Sequence, residues 1–468
     1  MENKIKRDSA LINLVSDFES KFDQGEVGYL DEKVYLQLLE YYEDEYLFEK
    51  ALEVADFAIE QYKYRSEFYI IKSRLLLNSN KINDCLVALE IAESIAQFER
   101  EISIIKARAL AIKKQFTEAH EILEDLRVGA TKSDSVDILI AESFIYEHMK
   151  DYNAMYDALA NAVTIDSKNE EAMERVWISA ELSRRYDDSV ELHKYIIEKD
   201  PYNYQAWYNL GHGYNCIWEY EKAIDALEYS FIINPDFESG YLDCADTCLQ
   251  IKDFERALEI YIEANSKFGP NNELMVNIAH CYISLNRIGI AKQWLLKAIK
   301  LDGYNDEAFF LLGECYAKDL VWYNAINAYH KAIDLENRRE EYYLGLAKAY
   351  LAVEDYNKAT INFQMATQTG PEETLYWKEY ICFLIKLGLY DEALQVLDEA
   401  EDHTYGADLI YCRAITAYLL KDKEECMELL EEALLENFDE HKIIFDIAPE
   451  LRLDKDINSM IKYFADAE

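Results

Sequence analysis

Asn209 and His212, Asp243 and Asp246, and Asn277 and His280 form three pairs, and Glu314 follows 34 residues after His280. Within each pair the members are three apart, which puts both on one face of a helix. Asparagines on such a face can hydrogen-bond an extended peptide backbone, and aspartates can hold a lysine or arginine of a ligand. The same residues equally suit a solvated wall with no ligand. Two histidines and two carboxylates are also an ordinary metal set. Packed helices lie about 8–10 Å apart, however, so His212 and His280 would stand roughly 16–20 Å from each other. A shared ion with bonds of about 2 Å does not span that distance, so no metal and no cofactor is expected. Cys244 and Cys248 are four apart but have no second pair to complete a site, and read as core. A second feature is YIIKSRLLL at 69–77 echoed by SIIKARALA at 103–111, which sets Arg74 in register with Arg108 and Lys72 with Lys106. These arginines could contact an anion such as a peptide carboxylate, or simply pair with Glu67, Glu101 and neighbouring acids.

What must position these residues is a repeat. Small residues recur every 34 positions at Ala223, Ala257, Ala291, Ala325, Ala359 and Ala393, and backward at Ser189 and Met155. Two extra residues before Met155 lead to Ala119, Cys85 and Ala51, and one fewer at the far end leads to Cys426. Seven residues beyond these sites alanine recurs, from Ala58 and Ala92 to Ala400 and Ala433. Two helices crossing closely need small side chains at the crossing and large ones in the flanking grooves. Aromatics three residues before the small site (Phe48, Tyr152, Tyr220, Trp322) and leucines four after it (Leu89, Leu159, Leu227, Leu295) supply the large ones. Each unit therefore reads as helix, turn at motifs such as KDF, EDY or LGLY, and helix, closed at Pro201, Pro235 or Pro371.

The segment AWYNLGHGYNCIWEYEKAIDALEYSFIINP, 206–235, is similar to the tetratricopeptide repeat, with its W-x2-L-G-x2-Y, then A, then P. The resemblance covers roughly 32–436 and is to multi-repeat members of the kind found in bacteria. It implies an all-α, right-handed superhelical solenoid of about twelve 34-residue helix-turn-helix repeats with terminal capping helices. The boundaries read as an N-terminal cap and lead-in at 1–31, three repeats at 32–135, nine at 136–436 and capping helices at 437–468, with a joint at LRVGATKSDS, 126–135. In this family the first helices line a concave groove that holds a partner's peptide or helix. The resemblance thus places Tyr208, Asn209, His212, Asp243, Asp246, Asn277, His280 and Glu314 at the groove as partner-binding residues, with Arg74 and Arg108 as secondary anion contacts. The lysine and asparagine pattern of the chaperone-tail clamp known in some members is not matched.

Lys plus Arg number 48 against 91 Asp plus Glu, a net charge of −43. Such a field repels nucleic acid and anionic membranes and favours a partner with a basic segment. No run of about 18 apolar residues suggests a membrane span, and the first residues lack an uninterrupted signal-peptide core. Nine scattered cysteines without CxxC spacing point to reduced thiols in a cytoplasm. With no GxxxxGK, GxGxxG, HExxH or GxSxG motif, catalysis is not expected. The expectation is a non-catalytic, cytoplasmic scaffold binding a peptide or partner protein in an acidic groove. The alternative is a structural module that self-associates through its caps or convex face.

Overall fold

The computed structural model describes residues 2–23 and 28–466, and every regular element among them is helical. The chain divides into two compact units, one ending at Gly240 and the other beginning at Tyr241. In the first, α1 (Glu2–Asp23) precedes paired helices: α2 (Glu32–Asp44) with α3 (Phe48–Gln61), α4 (Ser66–Asn78) with α5 (Ile82–Ile95), α6 (Arg100–Ile112) with α7 (Phe116–Arg127), α8 (Lys132–Met149) with α9 (Tyr152–Ile165), α10 (Glu170–Ser183) with α11 (Tyr186–Lys199), and α12 (Tyr204–Cys216) with α13 (Tyr220–Ile233). The second continues with α14 (Glu238–Gln250) and α15 (Phe254–Phe268), α16 (Asn272–Ser284) and α17 (Ile288–Leu301), α18 (Asp306–Lys318) and α19 (Trp322–Leu335), α20 (Glu340–Ala352) and α21 (Tyr356–Thr369), α22 (Thr374–Lys386) and α23 (Tyr390–Glu401), and α24 (Ala407–Leu419) and α25 (Lys423–Glu436).

The turn inside each pair is the same device throughout. A left-handed residue ends the first helix at Tyr46, Asn80, Lys114, Lys150, Arg184, Trp218, Lys252, Asn286, Leu320, Glu354, Gly388 and Lys421. The next N–H then reaches back five residues, as in Leu47 to the Tyr42 carbonyl (2.8 Å), Glu219 to Tyr214 (2.9 Å) and Asp355 to Tyr350 (3.0 Å). This closes the orphan carbonyls in a Schellman turn. Only one of these positions is glycine and none is β-branched, because a branched Cβ makes the left-handed region most costly. The small sites do the crossing: Ala51, Cys85, Ala119, Ser189, Ala223, Ala257, Ala291, Ala325, Ala359 and Ala393 are all fully buried. Asn169, Asn203 and Asn305 cap α10, α12 and α18 by accepting the N–H of Ala172 (2.9 Å), Ala206 (2.9 Å) and Ala308 (2.7 Å).

Both departures from the 34-residue period have a structural cause. α8 is 18 residues long where its neighbours are 12 to 14, and Thr131 starts it with a capping box to Asp134, so the extra residues of 126–135 are taken up as helix. At the other end α23 is shortened to 12 residues. After Glu436 the paired rhythm stops. Short 3₁₀ turns at Phe438–Lys442 and Pro449–Leu453 alternate with α26 (Ile443–Ile447) and α27 (Lys455–Ala465). They lay Ile444, Leu451 and Ile457 onto the core beside α24 and α25, and Lys423 ties the segment down through Asp454 (2.8 Å) and Asp456 (2.6 Å). At the start of the chain, Val15 and Phe18 of α1 are buried with the core of α2 and α3. No helix among the described residues is long and apolar enough to cross a membrane.

Candidate functional site

Within the first unit the first helices α4, α6 and α8 surround a hollow of about 620 Å³. Its floor is apolar, with Leu77, Ile104, Ile105, Ile138, Ile140 and Phe144, and its rim carries Arg74, Arg100 and Arg108 among Glu99, Glu101, Asp134, Asp137 and Glu171. Leu126 also lines it. This is the one second-helix crossing site that is only half-buried, and it lies where the register slips.

Each rim arginine already has an acidic partner. Arg74 clasps Glu43 through Nε and Nη2 (both 3.0 Å) and reaches Glu101 at 3.3 Å. Arg100 meets Asp134 at 3.1 Å and donates to the carbonyls of Leu126 (3.3 Å) and Gly129 (3.2 Å). Arg108 meets Glu171 at 3.1 Å while its guanidinium lies 4.2 Å from the Phe144 ring centre, and that ring also carries Arg175 at 3.6 Å. The arginines read from the sequence as anion contacts therefore sit in ion pairs, and burial lowers the Arg108 pKa. Lys72 and Lys106, in the same register, pair with Asp56 and Glu93. Five rim carboxylates face three paired arginines, so the hollow is acidic in balance. Partial burial first, then Asp134 and Glu171, raise the pKa of Asp137, against the pull of Arg108. A cation entering here would relieve that crowding.

The polar ladder has a different character in each unit. In the first, Asn209 is not free to meet a peptide: it is buried, and its amide donates to the Met173 carbonyl at 2.8 Å and to Nε2 of His193 at 3.2 Å. His193 donates from Nδ1 to the Ser189 carbonyl at 2.7 Å, which fixes the tautomer that leaves Nε2 as acceptor. Asn209 thus links α10, α11 and α12. Its replacement by alanine should cost about 1–3 kcal/mol by leaving the buried Nε2 of His193 without a donor and the Met173 carbonyl with its helical partner alone, read as a lowered urea midpoint. An unchanged midpoint would mean the amide is not engaged inside. His212 and Tyr208 remain half-exposed in an aromatic strip. The imidazole stacks on Trp177 (4.9 Å) and meets Tyr208 edge-on (4.5 Å), and Tyr208 in turn meets Phe237 (4.8 Å).

In the second unit, Asp243 is half-buried and Asp246 exposed on α14. Asp246 accepts the hydroxyl of Tyr261, which Asn277 also approaches at 3.5 Å. Although the residue as a whole is exposed, partial desolvation of its carboxyl raises the Asp246 pKa, and the Tyr261 hydrogen bond opposes this. Glu314 accepts the Tyr329 hydroxyl at 2.5 Å. The Tyr329 ring fits only because Gly313 and Gly345 lack side chains, since a Cβ at either would lie 2.6 or 2.8 Å from it. His280 is exposed, edge-on to Phe254 at 6.3 Å. His193, Tyr261 and Tyr329 all occupy the site four residues after the small one, where most pairs carry leucine. Each replaces an apolar filler with a group that fixes a ladder residue from below. That substitution pattern was the available sequence signal for these supports. Trp177, on α10, and Phe237, in the loop just before α14, carried none beyond being aromatic.

Two family models match the chain: YpiA-like, C-terminal tetratricopeptide repeats over residues 342–402, and the tetratricopeptide repeat over 273–305. The TPR repeat-containing protein YpiA of Bacillus subtilis is 24% identical over 226 residues, 48% of this chain and 53% of its own. Human tetratricopeptide repeat protein 21B is 27% identical over 164 residues, 34% of this chain and 12% of its own. The chain thus spans about half of the first relative and a small part of the second. Similar solved structures include YrrB, described as a TPR protein with an unusual peptide-binding site (16% identity, 40% of this chain and 96% of that one, TM-score 0.34). Another is a tetratricopeptide repeat protein from Parabacteroides merdae (14% identity, 56% and 98%, TM-score 0.42). With 34-residue helix pairs joined by one recurring turn in both units and these matches in sequence, the chain carries tetratricopeptide repeats.

Proposed function

We propose that the chain is a non-catalytic scaffold that holds a segment of a partner protein against the faces of its first helices. The observation that carries this reading is the hollow of α4, α6 and α8, whose apolar floor lies under a rim where five carboxylates outnumber three arginines. A segment alternating apolar side chains with lysine or arginine complements it. The apolar groups would bury on Ile104, Ile138 and Phe144, and the cation would sit near Asp137 and Glu99. Tyr208 and His212 in the first unit, and Asp243, Asp246, Asn277, His280 and Glu314 in the second, offer further contacts of the same chemistry, with Asn209 acting from inside to hold α12 in place. The net charge of −43 adds long-range attraction for such a partner, and nine cysteines with no disulfide among them suit a cytoplasmic setting.

Selection from a displayed library of random peptides tests this. The recovered peptides should be enriched in Lys and Arg spaced by apolar residues and should bind more weakly as salt rises. They should lose about tenfold or more in affinity on Asp137→Lys, a change of about 1.4 kcal/mol or more. Recovery of acidic peptides, or of none above background, would overturn the reading.

A further inference from the structure

Five half-exposed rings make one band across α10, α12 and the loop after α13. Trp177 stacks on His212 at 4.9 Å, His212 meets Tyr208 at 4.5 Å, Tyr208 meets Phe237 at 4.8 Å, and Phe237 meets Tyr204 at 5.0 Å. The band is edged with acid. Glu170, Glu174 and Glu181 stand on the Trp177 side of α10, at successive spacings of four, three and four residues through Trp177, and all three are exposed. Their charge reaches α12. Burial first and then Glu170 raise the Tyr204 pKa, with Glu174 adding to them against the Asn234 hydrogen bond, and burial and then Glu181 raise that of Cys216. Among the described residues, Glu170, Glu174 and Glu181 have no ion-pair partner, and no lysine or arginine lies over the ring of Trp177, Tyr204 or Phe237.

The neighbouring helices show what such surroundings hold when they are complete. On α8 the Phe144 ring has the Arg108 guanidinium at 4.2 Å and that of Arg175 at 3.6 Å, and Glu171 (3.1 Å) and Glu147 (2.8 Å) hold the two cations in place. Ring, carboxylate and guanidinium form one unit there. Between α10 and α12 the rings and the carboxylates recur, and the third part is left for a partner to bring. Ile178 and Leu182, four and eight residues on from Glu174, are 46% and 45% exposed. They give apolar ground for the stem of a long cationic side chain.

We propose that this band is an arginine-reading site, which takes an arginine of the partner segment flat against its rings, with the guanidinium N–H groups donating to the α10 carboxylates, and prefers it to lysine. The site lies on the first-helix faces proposed above to hold a partner segment, and on that reading it fixes which cation the segment carries here. The preference follows from the shape and hydration of the two cations. A guanidinium is planar and weakly hydrated, so it stacks on a ring while its edge still meets a carboxylate. An ammonium is compact and strongly hydrated, and gains mainly from charge. The hollow of α4, α6 and α8 asks only for positive charge over an apolar floor, whereas the band adds a demand for a flat one.

Fluorescence polarisation of the full chain with two labelled heptapeptides, one alternating arginine with alanine and the other lysine with alanine, tests the site. The two carry the same charge, so attraction by net charge alone holds them equally. At about 0.15 M salt the arginine peptide should bind wild type about tenfold more tightly. In Trp177→Leu that ratio should fall to about twofold or less while the affinity for the lysine peptide stays within about twofold of wild type. A variant that had lost its fold would release both peptides alike. Asp137→Lys, in the hollow, should weaken both and leave the ratio standing. Equal affinities of wild type for the two peptides would overturn the arginine site and leave the scaffold reading intact, whereas binding of neither would overturn both. A ratio that survives Trp177→Leu but disappears in Asp137→Lys would also overturn the site, by placing the preference in the hollow.

Discussion

Replacing Phe363 by alanine is expected to lower stability by about 3–5 kcal/mol, the cost of emptying a site that cannot collapse. Phe363 is 1% exposed on α21, with the rings of Phe383 at 4.9 Å and Tyr380 at 5.9 Å stacked beside it on α22. It fills the leucine site of its pair with a larger ring, so truncation removes the filler between two successive pairs. Repeat arrays are stabilised by local packing and nearest-neighbour contacts, so the loss should be regional. Amide hydrogen exchange should accelerate most across α20 to α23 and little in α2 to α7. Uniform acceleration along the chain would contradict this picture of local coupling.

The second large effect concerns acid. His193 is completely buried, and burial pushes its pKa down to about 4, opposed by its hydrogen bond to the Ser189 carbonyl. An unfolded histidine takes its proton near 6.5. Between these values the unfolded chain binds more protons than the folded one, so the contribution is fully present above about pH 6.5 and is lost as pH falls through about 4. The span corresponds to about 3 kcal/mol. Protonation would also remove the lone pair on Nε2 that accepts from Asn209, breaking the link among α10, α11 and α12. Urea midpoints measured from pH 7 to pH 4 should fall more steeply for wild type than for His193→Leu, which restores the filler common at this site. Parallel curves for the two proteins would refute the assignment.

Much of the fold was legible because the repeat rests on sterics that few residue types satisfy. An alanine at a helix crossing leaves a mark in the sequence, as at Ala223 and Ala257, and so does an unbranched residue at a left-handed turn, as at Trp218 and Lys252. The site was less legible for the reason that polar residues report their type but not their partners. Asn209 matched Asn277 in type and register, yet His193 on the preceding second helix draws it inside, while Asn277 stays half-buried near Tyr261. The hollow had no motif at all. It lies at α8, where two added residues lengthen a helix, and Leu126 took the place of the alanine found at most crossings. Arg74 and Arg108 line the hollow, but their charge is met by Glu43, Glu101 and Glu171, pairings that residue type and register alone do not report.

The scaffold reading is tested most directly by asking which face touches a partner. A photo-crosslinking phenylalanine analogue would be placed singly at Leu77 and Ile104 in the hollow, and at the exposed second-helix positions Val87 and Ile91. After irradiation in the protein's own cells, crosslinked species would be identified by mass spectrometry. The account predicts that one partner is captured from Leu77 and Ile104, at a segment containing lysine or arginine, and not from Val87 or Ile91. Capture from Val87 and Ile91 with none from the hollow would contradict it and place binding on the opposite helices.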